Sequence, residues 1–288
     1  MILIRFKVVL QGLVAGLGLA LALAAASAPG RAEAYRLPLF RAVDPAGAPA
    51  SDAIATRTFR LLADQDFAPF SFAAQGGAPA GLSVELALSA CAAARLTCEV
   101  VLLPYDHLLG ALERGEGDAV ISGLRLDEDS MAGATMTRPW FRTMGRFAVL
   151  KTSTLASADA KDLAGLRIGV VRDSAHARWL ETYYPDSIIV PLDDAAAAQV
   201  ALRIGNVQAV FGDGLQIIYG LTSTPAQNCC KLLAGAFSDF DFFTRNMAFV
   251  VRAGQGDLRK ALDYGLDVAQ SKGVTEKLFN AYVPLNPW

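Results

Sequence analysis

Two carboxylates, two aromatic rings, two hydroxyls and two guanidiniums stand at comparable places in a pattern that this 288-residue chain writes twice. They are Asp64 and Asp213, Phe67 and Tyr105, Ser122 and Ser174, and Arg125 and Arg172; Gly123 and Leu124 fill a short turn between Ser122 and Arg125. Such a set holds a molecule without cutting it. A carboxylate accepts from an ammonium, guanidiniums and backbone N–H groups meet an anion, and ring faces cover the remainder. The chemistry expected is noncovalent capture of a small polar solute carrying both signs of charge.

Other chemistries fit the sequence less well. Serines, aspartates, His107 and His176 could supply a hydrolytic triad by composition, but no Gly-x-Ser-x-Gly elbow occurs, and both histidines are expected on helix surfaces. Gly115-Glu116-Gly117 follows a helix end, the wrong side for a phosphate cradle. The formal net charge of −2 lacks the basic footprint that nucleic acid requires. Four cysteines suggest disulfides in an oxidising compartment. Cys91–Cys98 would pin the corner between a helix and the next strand, and the adjacent Cys229–Cys230 would form a vicinal pair. Metal binding is the alternative, but the chain has no Cys-x-x-Cys spacing and its two histidines stand apart.

The elements that position the polar set read as strand-helix-strand-helix-strand, twice. In the first copy, Phe59–Ala63 is a strand, Leu82–Ala94 a helix and Glu99–Leu103 a strand. Asp106 caps a helix from His107 to Arg114, and Ala119–Ser122 is the third strand. In the second copy, Leu166–Val171 opens, and Asp173 or Ser174 caps a helix to about Tyr183. Ile188–Val190 comes next, Asp193 or Asp194 caps a helix to about Ile204, and Val207–Phe211 closes. This alternation implies parallel β-α-β units. Ligands of such sheets sit beyond the C-terminal strand ends, where helix N-termini also point. The polar set falls at those ends. The aromatic run Phe237, Phe240, Phe242 and Phe243 is expected to pack between lobes, and Pro139-Trp140-Phe141 to lead into a crossing.

Arg5 and Lys7 precede an uncharged apolar run, Val8 to Ala28, and small residues come after it, including Ala32-Glu33-Ala34. This reads as a secretory signal cut near Ala34. An uncleaved anchor is the other reading; the Ala/Gly richness and the small-residue end favour cleavage. Removal of residues 1–34 takes three basic and one acidic side chain and leaves a net charge of −4. Residues 35–57 show no period and are expected to form a loosely ordered leader.

At these residues the chain resembles the family 3 extracytoplasmic solute-binding proteins, the polar amino-acid class that serves ABC importers. The resemblance covers roughly Thr58 to Val283. It is carried by ADQDFAPFSF (63–72), GLSVELA (81–87), GALERGEGDAVISGL (110–124), RPWF (138–141), DLAGLRIGVV (162–171), ALRIGNVQAVFGD (201–213) and the tail at 261–283. It implies an α/β fold of two lobes, each a mostly parallel sheet flanked by helices, joined by two crossover segments. Lobe 1 would hold 58–141 plus 247–288, and lobe 2 would hold 142–246. Phe67 and Tyr105 would face the ligand from opposite sides, and Asp64 would meet a side-chain cation. Ser122 with Gly123, Leu124 and Arg125 would form a rim. Ser174 would receive the carboxylate, and Asp213 the α-ammonium.

Two departures stand out. The arginine that clamps the α-carboxylate in this class is replaced by Ser130, beside Asp127-Glu128-Asp129, which leaves Arg125 and Arg172 as candidates. The usual Gly-Thr-Thr turn reads Asp173-Ser174-Ala175. The resemblance further implies a periplasmic location, a monomer, a membrane permease as partner, and no cofactor. A receptor-coupled sensor is the alternative. So is a periplasmic dehydratase or lyase using Glu113, Asp118 or Asp127, although each of these has a blander place at a helix end or turn.

Overall fold

The computed structural model describes residues 36–38, 41–44, 46–123, 134–223 and 228–288. The expected signal segment, Leu124, Arg125, Asp127 and Ser130 lie outside the described residues.

Two five-stranded sheets share one plan. In the first, β1 (Thr58–Asp64) lies parallel between β5 (Thr97–Leu103) and β6 (Ala119–Val120). β15 (Val250–Arg252) and β7 (Ala134–Met136) continue the sheet antiparallel. In the second, β10 (Arg167–Val171) lies parallel between β11 (Ile188–Leu192) and β12 (Ala209–Asp213). β9 (Gly145–Leu150) and β13 (Cys230–Leu232) continue it antiparallel. β1 is a near-continuous apolar run because it is covered on both faces: Phe59, Leu61, Leu62 and Ala63 are all buried.

Between the sheets, β8 (Phe141–Arg142) pairs antiparallel with β14 (Asn246–Met247). The N–H of Trp140 donates to the Met247 carbonyl at 2.9 Å, and that of Thr143 to Arg245 at 3.0 Å, so the two strands run side by side through the crossing. Trp140 and Phe141 are buried against Phe249 and Phe279 in the first lobe's core. Directly after the crossing comes Gly145. A Cβ there would fall 2.4 Å from Phe211 Cζ, so only glycine lets β9 begin beneath that ring.

The helices begin at the expected starts, with one exception. α2 (Leu82–Ala93) packs on α8 (Gly256–Ser271), where Gly265 permits close approach to the Ala90 carbonyl. α3 (Tyr105–Glu113) begins two residues earlier than expected, so Asp106 sits inside its first turn and does not cap it. In the second lobe, the single turn α4 (Ala160–Leu163) precedes β10. Ser174 caps α5 (Ala175–Tyr183), Asp194 caps α6 (Ala195–Arg203), and Asp213 caps α7 (Gly214–Thr222). The loop expected after β1 is a small antiparallel meander: β2 (Asp66–Phe67), β3 (Ser71–Ala73) and β4 (Pro79–Ala80). Both expected disulfides are present. Cys91–Cys98 spans 6.3 Å between Cα atoms, and Cys229 is joined to Cys230.

The segment before Thr58 departs from the loosely ordered leader the composition suggests. Asp52–Ala55 form α1, a single helical turn, and Ala50 is buried with its N–H on the Ala94 carbonyl at 2.9 Å. Arg41 is 5 % exposed. Its guanidinium donates to Asp267 at 2.7 Å and to Asp263 at 2.8 Å, both on α8. Arg138 shares those two carboxylates. A buried arginine saturated by two carboxylates fixes the segment that carries it.

Candidate functional site

A crevice of about 860 Å³ runs along the crossing. Phe67 and Gly123 line it from the first lobe, and Thr143, Asn246 and Met247 line its floor. Ala175 and His176, at the start of α5, line it from the second lobe, together with Arg178, Phe243 and Arg245. A second cavity of about 140 Å³ lies within the second lobe. Ser174, His176 and Asp213 all border it, and His176 borders both spaces.

The first-lobe residues commit most of their polar groups inward. Asp64 ends β1 at 7 % exposure, and one of its carboxylate oxygens accepts from the Asp66 N–H at 3.1 Å. Ser122 is fully buried. Its hydroxyl accepts from the Asp64 N–H at 2.7 Å and lies 2.7 Å from the Ser71 hydroxyl. That side chain ties strand ends together inside the lobe, while Gly123 next to it reaches the crevice. Phe67 sits on β2 with its ring 5.1 Å from that of Phe70. Tyr105, at the first position of α3, is about half exposed.

The second-lobe residues stand at helix starts. The Ser174 oxygen accepts from the Ala177 N–H at 3.1 Å, which leaves its hydrogen available to donate. The earlier N–H groups of α5 and the positive end of its dipole favour an anion at this point. One Asp213 oxygen accepts from the N–H groups of Leu215 and Gln216, both at 3.0 Å. Burial raises the Asp213 pKa, and those two N–H groups partly offset the rise. A buried carboxylate under that penalty gains from an incoming ammonium. Arg172 is exposed and reaches toward Asp193 at 3.4 Å.

His176 corrects the sequence reading. The sequence places it on a helix surface; it is stacked on Phe243 instead, at 4.4 Å between centroids and 14° between planes, with Phe211 edge-on at 5.6 Å. Its Nε2 is buried without a partner, and burial lowers its pKa to about 4. The ring is therefore neutral at pH 7. Its one sequence cue is its place two residues after a helix cap. Arg178 and Arg245 are also missed by the sequence reading. Arg178 is on the same helix, and Arg245 is held by the carbonyls of Thr244 at 2.8 Å and Phe242 at 3.0 Å. The aromatic run packs mainly into the second lobe: Phe237 and Phe243 meet Trp179 and Phe211, while Phe240 is exposed beneath the Arg142 guanidinium.

Among the described residues, no group of three His, Cys, Asp or Glu side chains is arranged to hold a metal ion, and no helix is long and apolar enough to cross a membrane.

Comparison with known proteins gives a consistent result. The profile described as bacterial extracellular solute-binding proteins, family 3, matches residues 59–284. An L-arginine-binding protein of Pseudomonas aeruginosa is 23% identical over 79% of this chain and 88% of its own length. A histidine-binding periplasmic protein of Salmonella typhimurium is 26% identical over 82% of this chain and 91% of its own. Among solved structures, the L-cystine solute receptor of Neisseria gonorrhoeae, in its unliganded open conformation, aligns with a TM-score of 0.68. That alignment has 16% identity and covers 79% of this chain and 93% of the receptor.

Proposed function

We propose, because the chain belongs to family 3 of the bacterial extracellular solute-binding proteins, that it captures a free amino acid between its two lobes and hands it to the permease of an ABC importer. The observation that carries this reading is the crevice itself. It has an aromatic ring on one side and the start of α5 on the other, and Asp213 lies in the adjoining cavity. The amino acid's carboxylate meets the N–H groups of α5, the Ser174 hydroxyl and a nearby guanidinium. Arg178 and Arg245 border the crevice and can supply the charge that Ser130 does not. The α-ammonium meets Asp213, and Phe67 covers the side chain, with Tyr105 facing it from the opposite side.

Closure is a hinge motion at the paired crossings near 141–142 and 246–247. The amino acid shifts the population only by as much as it binds the closed form better than the open one. The protein acts as a monomer, without catalysis, after export to the periplasm and removal of residues 1–34. The arginine and histidine named for its relatives support cationic and polar amino acids as the first candidates.

The test is a thermal-shift screen of the mature chain against the common amino acids, cystine, amines and small organic acids. A saturable rise in Tm with one or a few amino acids is expected. No response to any amino acid, with a clear response to a non-amino-acid solute, would overturn the reading.

A further inference from the structure

We propose that a recess behind the crossing, separate from the solute crevice, binds a small doubly charged oxyanion such as inorganic phosphate or sulfate. The recess is open to solvent, has a volume of about 910 Å³ and is bordered by Arg146, Lys151, Ser223, Lys231, Asn286 and Trp288, among others. None of the residues assigned above to the solute borders it.

Arg146 is the most buried cation of the recess. It lies on β9, just past the crossing, and is 4 % exposed. Its Nη2 donates to the Leu233 carbonyl at 2.9 Å and its Nη1 to the Asn286 carbonyl at 3.3 Å. Its Nε is buried with no partner. Among the described residues, no carboxylate comes within ion-pair reach of this guanidinium. The contrast is Arg41, equally buried, which meets two. A buried charge without a counter-ion is costly, and native proteins generally supply one. Burial lowers the Arg146 pKa to about 10, so the group is still cationic at pH 7.

Among side chains the rest of the recess has the same sign, although Trp288, which carries the terminal carboxylate, also borders it. Lys151 and Lys231 border it, and its described lining contains no Asp or Glu. Lys231 spends one donor on the Ser153 carbonyl at 3.1 Å, and Lys151 one on Asn228. Each ammonium retains further donors. Three cationic side chains and the Ser223 hydroxyl border one space, a lining whose chemistry suits a multiply charged anion. The recess also joins lobe 2 strands to the C-terminal segment, whose Trp288 packs edge-on against Phe141 and Phe279 of the first lobe. An anion there would fasten that segment to the second lobe.

The experiment uses the mature chain without amino acid. Sodium phosphate and sodium sulfate are titrated against sodium chloride at matched ionic strength, with Tm and isothermal calorimetry as readouts. Both anions stabilise proteins generally by exclusion, without saturation. The quantity of interest is therefore the saturable part at millimolar concentration. It should be present in the unaltered chain, weakened at least tenfold in the Lys151→Gln/Lys231→Gln double variant, absent in Arg146→Gln, and unchanged in Lys272→Gln, an exposed lysine at the end of α8 that does not border the recess. Should Arg146→Gln not fold, the lysine pair decides. No saturable response beyond chloride, or an equal one in the double variant, overturns the proposal. Amino-acid binding is measured on the same samples, so failure of this site is distinguishable from failure of the solute reading.

Discussion

The two lobes place the same strand order at the same crevice and use its polar ends differently. In the first lobe the meander 66–80 intervenes before a helix begins, so Asp64, Ser71 and Ser122 bond to one another and to the backbone at the strand ends. In the second lobe a helix comes within four residues of the strand, and Ser174 and Asp213 become helix caps beside open space. The first lobe is also clamped from outside, by Arg41 on Asp263 and Asp267. The second has no such clasp among its described residues and relies on stacked rings around Trp179 and Phe211. One plan therefore yields a tied half and a half that offers its helix starts. For Asp64 and Ser174, at the ends of the matching strands β1 and β10, the next element decides: a meander in one lobe, a helix in the other.

Five variants test this contrast. Arg41→Ala should cost the most stability, about 3 kcal/mol by urea denaturation, because two buried carboxylates lose a partner while Arg138 and Arg259 remain. A loss below about 1 kcal/mol would mean that the first lobe is not held this way. Asp213→Ala should erase the amino-acid-induced rise in Tm, a binding loss of about 2–3 kcal/mol for a charged hydrogen bond.

Ser122→Ala should cost about 1–3 kcal/mol of stability, because the buried Asp64 N–H loses its acceptor, yet leave an amino-acid response intact. Ser174→Ala, removing a cap, should cost about 1 kcal/mol and weaken that response. If the two serine variants behave alike, the contrast fails.

The smallest effect concerns pH. His176 is harder to protonate in the folded chain, at about 4, than the usual 6.5. The unfolded chain therefore takes up the extra proton as pH falls through that window, and stability falls with it. The slope should be worth roughly 1 kcal/mol, given the residue's partial exposure. Denaturation curves of the parent and His176→Gln between pH 7 and 4 would show the slope flattening in the variant.

Much of this is legible in the chain because its signals are local. Strand runs such as LRIGVV end beside a Ser or Asp that caps the next helix, and those caps stand at Ser174 and Asp194. The meander is not legible, because strands of two or three residues among Pro and Gly carry no period. The clamp is hidden for a different reason. Arg41 lies 222 and 226 positions from its two carboxylates, and no local pattern links them. Asp263 and Asp267 are spaced i, i+4 on α8 and look like surface acids until an arginine from elsewhere covers them. His176 is misplaced by the sequence because the ring that stacks on it, Phe243, comes from a loop far along the chain.

The internal position of β15 has a consequence for synthesis. Val250–Arg252 sit between β6 and β7, so the first sheet is interrupted until nearly the whole polypeptide is available. The Arg41 clasp waits longer still, for Asp267. A nascent chain that stops at Phe249 has no way to finish its first half. Under the export proposed above, it would stay slack enough to thread a translocation channel and lock only on the far side.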